Sequence, residues 1–366
     1  MKFRLFDEIE AKIDEFPFLM NHEFLLAGNF NFDDKSFSSM NNKEILSLVK
    51  TRVQTYLHDG DVNFKCLFQD NLPNYAKEVG FESTVDLLLP IISKIPEEKD
   101  SVKIKFLTNL KKFNDYLAEN GEEGYKLIRD QVTPILSEIF QEKKNVRVID
   151  LCSEALVELT KHIRDEHRGY HILTIVIVMA HDDQDEESRV LSAKLFNLLA
   201  PIIGRELCEL YVVPQIASFA DDPHSKVRKA VAGNFLNMCM SVSEASFKTK
   251  LLPVYQKLSN DSLWIVRKAA AEILPKITSL CDSETVSTTL LEVFKNFTSD
   301  NQRYVRIAAI EVLGQFVCLL KKEDLTDSIL EFYIGIVEEY YSYKDYANFE
   351  ASDVIIINLD NLSLCF

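Results

Sequence analysis

The chain has 366 residues, of which only 10 are glycine and 10 are proline, where ordinary usage of the two together is roughly 12%. Strand-rich folds take most of their turns from these residues, so the composition argues against a sandwich, barrel or propeller and against glycine-rich phosphate loops. With 47% hydrophobic residues and a net charge of −16, the chain can bury a core and repels phosphate backbones, while its length exceeds one core and calls for two domains or a repeating array.

Taken in chain order, the N-terminal MKFRLFDEIEAKIDEF lacks a signal-peptide core, because Asp7, Glu8 and Glu10 interrupt it. Residues 1–42 read as a degenerate helical segment and loop, with Gly28 to Asn42 the loop. Gly121-Glu-Glu-Gly124 reads as a short acidic loop between helices. The apolar stretch Ile172 to Ala180 is less than half a membrane span. Cys66, Cys152, Cys208, Cys239, Cys281, Cys318 and Cys365 never form CxxC and sit mostly among apolar neighbours. Such a set is expected to be reduced thiols of a cytoplasmic or nuclear protein. Residues 323–366 are expected to form a C-terminal helix and an irregular acidic tail, with a strand-like run from Val354 to Leu359.

An internal repeat organises what lies between. Three segments starting at Val212, Leu251 and Leu290 align without gaps, and each carries an aspartate followed six residues later by Val-Arg's arginine: Asp222/Arg228, Asp261/Arg267 and Asp300/Arg306. The frame extends backwards through Asp183/Arg189, Val146-Arg147, Val102-Lys103 and Lys65. Apolar positions recur at helical spacing on both sides of each aspartate, as in Leu251, Leu252, Tyr255, Leu258 and then Val266, Ala269, Ala270, Ile273. Each unit is therefore a helix pair, with a polar turn that can cap the second helix. A lone pair cannot bury its apolar face, so the pairs must stack.

The Pro–Asp–Val-Arg–Ala pattern at this period resembles the HEAT repeat over residues 43–322, with the closest wording in 206–322. The resemblance implies an all-α, right-handed α-solenoid of about seven helix pairs, about 70 Å long at roughly 10 Å per layer. It also implies an Asp–Arg ladder between units: Asp183, Asp222, Asp261 and Asp300 with Arg189, Arg228, Arg267 and Arg306. The last three units are similar to the scaffold and regulatory subunits of type-2A-like serine/threonine phosphatases. In that family the turns within repeats contact the catalytic subunit, which points to Asp222, His224, Lys226, Asp261, Trp264, Lys268, Arg303 and Tyr304. Ion pairs at a repeat interface fix register more than they catalyse.

Trp264 is the single tryptophan, and the equivalent positions hold Ser225 and Arg303. A position that accepts serine and arginine is expected to be exposed, and exposed aromatics are frequent binding anchors; the alternative is a tryptophan folded against the neighbouring turn. His162, His167, His171 and His181 cluster with Glu166, Asp182 and Asp183. His167 and His171 stand at metal-ligand spacing, yet the stretch reads better as a linker running into the next helix. No nucleophile motif, P-loop or GxGxxG appears, so no catalytic residue, cofactor or metal is assigned. The function expected is a non-catalytic scaffold for a 2A-like catalytic subunit (phosphatase 4 or 2A), with a further regulatory subunit or substrate protein as additional partner, and neither nucleic acid nor membrane. Two alternatives remain: a nuclear-transport or other adaptor for basic cargo, and a HEAT-type metalloenzyme.

Overall fold

The computed structural model describes residues 41–58, 61–142, 145–181, 183–320 and 335. The expectations for residues 1–40 and for the tail beyond Leu320 lie outside the described residues. Those described are helical or in short turns, with no strand among them.

Two compact units divide the chain at Tyr116/Leu117. The first holds α1 (Asn42–His58), α2 (Val62–Val79), α3 (81–92) and most of α4 (Asp100–Ala118). Its core includes Val49, Tyr56, Phe68, Leu72, Leu88 and Ile91, and Arg52 Nη1 donates to the Tyr75 hydroxyl at 2.6 Å. The second holds α5 (121–142), α6 (Val146–Thr160), α7 (165–180), α8 (Glu186–Ile203), α9 (205–219), α10 (Ser225–Gly233), α11 (Leu236–Met240), α12 (244–259), α13 (Trp264–Thr278), α14 (283–298), α15 (Arg303–Glu311) and α16 (Leu313–Val317). Within it, α5, α7, α9, α12 and α14 are first helices, and α6, α8, α10, α13 and α15 are second helices. The fold is an all-α, HEAT-like solenoid.

The apolar period explains the stacking. On the second helices, Val148, Ser188, Val227, Val266 and Val305 are buried at the same place in successive units, and so are Cys152, Ser192, Val231, Ala270 and Ala309. The small residues allow neighbouring second helices to lie close together.

Every first helix described from α3 onward contains one wide, five-residue turn: Thr84–Leu88, Ile128–Val132, Gly169–Leu173, Cys208–Val212, Phe247–Leu251 and Val286–Leu290. In α12, for example, the Leu252 N–H donates to the Phe247 carbonyl, five residues back. Pro90, Pro134, Pro214 and Pro253 follow these turns at one fixed position, where a loosened backbone accommodates a ring that cannot donate. The turn does not depend on proline, because Ile175 and Glu292 occupy that position in α7 and α14.

Three expectations are corrected. Gly121-Glu-Glu-Gly124 is not a loop but the first turn of α5. Gly121 takes φ +67°, and a Cβ on Gly124 would lie 1.8 Å from the Leu117 carbonyl oxygen. Short, acidic and glycine-bearing segments read as loops, yet here the glycines serve a tight entry and a close backbone approach. Arg147 does not belong to the basic ladder: it is exposed near the start of α6, and Ile149, the fourth residue of that helix, takes the place that Arg189, Arg228 and Arg267 take in theirs. The Val-Arg dipeptide matched the motif two residues out of register. Finally, the thiols are free at Cys66, Cys152, Cys208, Cys239 and Cys281, whereas Cys318 is in a disulfide. A disulfide pairing leaves no local sequence trace.

Candidate partner-binding site

The ladder forms the floor of the site. Arg189 Nε donates to Asp222 Oδ2 at 2.6 Å and Nη2 to Oδ1 at 3.2 Å. Arg228 and Asp261 repeat this at 2.6 and 3.0 Å, and Arg267 and Asp300 at 2.6 and 2.8 Å. Each arginine thus reaches the aspartate 33 residues further on with a two-pronged, charge-assisted bond. The third nitrogen, Nη1, binds back to its own turn: Arg228 to the Asp222 carbonyl at 2.8 Å, Arg267 to that of Asp261 at 2.7 Å and Arg306 to that of Asp300 at 2.7 Å. Each carboxylate also accepts the amide two residues on, at 2.8 Å in all three turns: His224, Leu263 and Gln302. One aspartate therefore shapes its own turn and locks the preceding unit.

The electrostatics follow from that geometry. Burial pushes the carboxyls of Asp222, Asp261 and Asp300 up, but the arginine hydrogen bonds, the turn amides and the arginine charges outweigh it and hold all three below the ordinary aspartate value. The same bonds raise Arg228 and Arg267.

A rung of this kind also occurs in the first compact unit, where Lys65 Nζ meets Glu98 Oε1 at 2.7 Å, again 33 residues on. Sequence reasoning placed Lys65 on the ladder but missed Glu98; the constant offset is the signal that would have found it. Asp183 is not on the ladder. It is exposed, its carboxylate 3.4 Å from the Gln184 amide, and Asp185 caps α8 by accepting from Ser188. The reason is the preceding unit, which presents Ile149 instead of an arginine.

The ladder withdraws two expected partner contacts. Asp222 and Asp261 are committed to Arg189 and Arg228, with side chains only 4% and 7% exposed. The remaining six stand at or near the start of second helices. His224 keeps half its side chain in solvent, with Nδ1 3.3 Å from Asp222 Oδ1. Lys226 is exposed and pairs across to Glu186 at 3.1 Å. Lys268 pairs with Glu272 on its own helix at 2.5 Å. Arg303 is exposed, and no ion pair involves it among the described residues.

Trp264 is half-buried, not fully exposed, because Tyr304 of the next unit stacks on it with ring centroids 5.1 Å apart and planes at 27°. Tyr304 itself is 57% exposed and caps the pair toward solvent. The aromatic surface of this ridge is therefore a two-ring platform, whose accessible face is chiefly the tyrosine.

The histidine stretch runs from a short linker into α7 as expected. His167 Nδ1 lies 2.5 Å from the Tyr125 hydroxyl, and the rings of His167 and His171 meet edge to face at 5.9 Å. No group of three or more His, Cys, Asp or Glu that could hold a metal occurs among the described residues. Burial raises the thiols of Cys152, Cys208 and Cys239, which keeps them protonated. No helix among the described residues is long and apolar enough to cross a membrane.

A family model described as PPP2R1A-like HEAT repeat matches residues 244–320, the stretch that carries the Arg228–Asp261 and Arg267–Asp300 acceptors and the aromatic platform. Over those residues the chain is similar to HEAT repeats. No curated protein matches it. Among solved structures, it is similar to a Kap121p mutant, with a TM-score of 0.64 and 12% identity over 90% of this chain and 38% of that one. It is also similar to the karyopherin Kap121p bound to the extreme C-terminus of the protein phosphatase Cdc14p, with a TM-score of 0.58 and 13% identity over 89% of this chain and 38% of that one. At such identity the likeness is one of fold, and the chain spans well under half the length of the karyopherin chains it matches. Repeat solenoids of this kind are typical of scaffolds and adaptors that bind proteins.

Proposed function

We propose that the chain is a non-catalytic scaffold that binds a type-2A-like serine/threonine phosphatase catalytic subunit, of the phosphatase 4 or 2A kind, and holds substrate proteins near it. The observation that carries this reading is the coincidence of three features in one stretch. Residues 244–320 match the PPP2R1A-like repeat, the ladder runs through the same units, and the second helices there present Lys268, Arg303 and the Trp264–Tyr304 platform, with His224 and Lys226 at the equivalent place in the unit before. The mechanism is positional: a scaffold that holds two proteins on one array raises their local concentration without adding chemistry. The edge is basic and aromatic on a chain of net charge −16, which separates this reading from an adaptor for basic cargo, because such cargo would meet lysines and arginine at these turns. Cytoplasm and nucleus are the compartments where this partner is expected.

The test is capture of purified phosphatase 4 and 2A catalytic subunits by the immobilised chain, with a karyopherin-type basic peptide as a parallel bait. Retention of a catalytic subunit, reduced by Arg303→Glu, supports the scaffold. Retention of the basic peptide alone overturns it in favour of the adaptor.

A further inference from the structure

We propose that the ridge over α10, α13 and α15 is a binding track for an extended acidic protein segment, with a carboxylate seat at Arg306 and an apolar step at Tyr304. The proposal deepens the scaffold reading by naming the chemistry of the partner, and it rests on that reading only for the choice of this edge.

Three observations converge. First, the last ladder arginine among the described residues, Arg306, has no carboxylate from them on its outer edge. Arg189, Arg228 and Arg267 each present their Nε–Nη2 edge to a carboxylate, and Nη1 of Arg306 is held by the Asp300 carbonyl in the same way as in its counterparts. Yet no carboxylate meets the Nε–Nη2 edge of Arg306 among the described residues. A guanidinium held in the geometry its neighbours use for bidentate binding is pre-organised for one more carboxylate, so little rotamer entropy remains to be lost on binding.

Second, the cations on these helix faces are not balanced locally. Glu186 and Glu272 are taken up by Lys226 and Lys268. Lys229 and Arg303 are exposed and have no ion pair among the described residues. On a chain of net charge −16, a basic stripe runs against the overall field and selects an acidic ligand by complementarity. Third, Tyr304 leaves 57% of its surface in solvent directly beside Arg303, with Trp264 stacked behind it. A rigid aromatic pair flanked by cations is the composition of a binding anchor.

The repeat also sets the ligand's pattern. Stacked helices lie about 8–10 Å apart and an extended chain rises about 3.3 Å per residue. A segment crossing the second helices therefore meets a new unit every third residue. The pattern that fits is an acidic residue for Lys229, an apolar one for the platform and an acidic one for Arg303 and Arg306, each three apart.

Trp264 is the only tryptophan, so its fluorescence reads this track directly. The probe is a short acetylated and amidated peptide of Asp and Glu with one central leucine, titrated into the full chain at low salt. Saturable change in Trp264 emission is expected, weakened roughly tenfold by Arg303→Glu or Lys229→Glu and by salt above physiological strength. Arg306→Gln should weaken it as well. Circular dichroism checks that each variant is folded, and the exposed Arg303 and Lys229 keep the test valid if Arg306→Gln is not. No emission change with the acidic peptide, or a change insensitive to both exposed charge reversals, overturns the proposal. Tighter binding of a single-stranded oligothymidylate of equal charge overturns it in favour of a nucleic-acid track. Acidic-peptide binding without capture of a phosphatase subunit would retain the track and remove the scaffold reading, so the two fail separately.

Discussion

Replacing Asp261 with alanine removes the central rung. The carboxylate accepts from Arg228 at 2.6 and 3.0 Å and from the Leu263 amide at 2.8 Å. Its loss strands Arg228, whose side chain is 13% exposed. Breaking a fully buried pair costs about 3–5 kcal/mol, and a hydrogen bond to a charged group contributes about 1.5–3 kcal/mol. Arg228 keeps Nη1 on the Asp222 and Pro223 carbonyls and some access to water, so Asp261→Ala should destabilise by about 2–4 kcal/mol on that scale. Asp261→Asn retains the shape and part of the bonding and should cost about 1–2 kcal/mol. The double variant Arg228→Leu/Asp261→Leu should recover most of the loss, because an apolar pair of similar volume often replaces a buried ion pair at no net cost. Urea unfolding is the assay, read by Trp264 fluorescence for the local unit and by far-UV circular dichroism for the whole chain. Two probes are needed because repeat arrays can lose cooperativity. A cost for Asp261→Ala below about 0.5 kcal/mol, or strict additivity of the two single changes, would refute the ladder as an interaction that couples units.

Further outcomes follow from the same geometry. The folded-state carboxyls of Asp222, Asp261 and Asp300 lie below the ordinary value of 3.8, so their contribution is complete above that pH. It is lost as pH falls through the lower folded-state values, and a pH series of urea midpoints should drop in that window and flatten in Asp261→Asn. Gly124→Ala places a methyl 1.8 Å from the Leu117 carbonyl oxygen and should destabilise by at least about 1–3 kcal/mol, measured by thermal unfolding. Tyr304→Ala uncovers the face of Trp264 on which it stacks and should red-shift its emission, with a stability change of about 0.5–1.5 kcal/mol for the lost ring pair.

The last three units were legible because each carries its own complete copy of the motif: the turn aspartate, the buried valine, the arginine and the small residues after it. Asp222, Asp261 and Asp300 were located correctly on the ladder, but Asp222 and Asp261 were also expected to meet a partner, because a residue can shape a turn and still point inward to the preceding unit. Arg147 misled for the opposite reason: a dipeptide can match a motif while the apolar period of its helix, set by Val148 and Cys152, runs two residues out of step. Trp264 was judged from its equivalents Ser225 and Arg303, but its neighbour across the stack is Tyr304, a different position of the next unit. A pairing that links the third residue after one unit's aspartate to the fourth after the next unit's is not visible when equivalent positions are compared column by column. The wide turns of the first helices had no signal except the spacing of the four prolines, and two units form the turn without one.

The central claim is that this ridge binds a 2A-like phosphatase catalytic subunit. Isothermal titration of the full chain with purified phosphatase 4 and 2A catalytic subunits tests it most directly, alongside the Arg303→Glu/Tyr304→Ala variant. The account predicts saturable binding to at least one subunit that the variant weakens by tenfold or more, the scale of an interface anchor. Absence of binding heat with both subunits, or binding of equal strength to the variant, would contradict it.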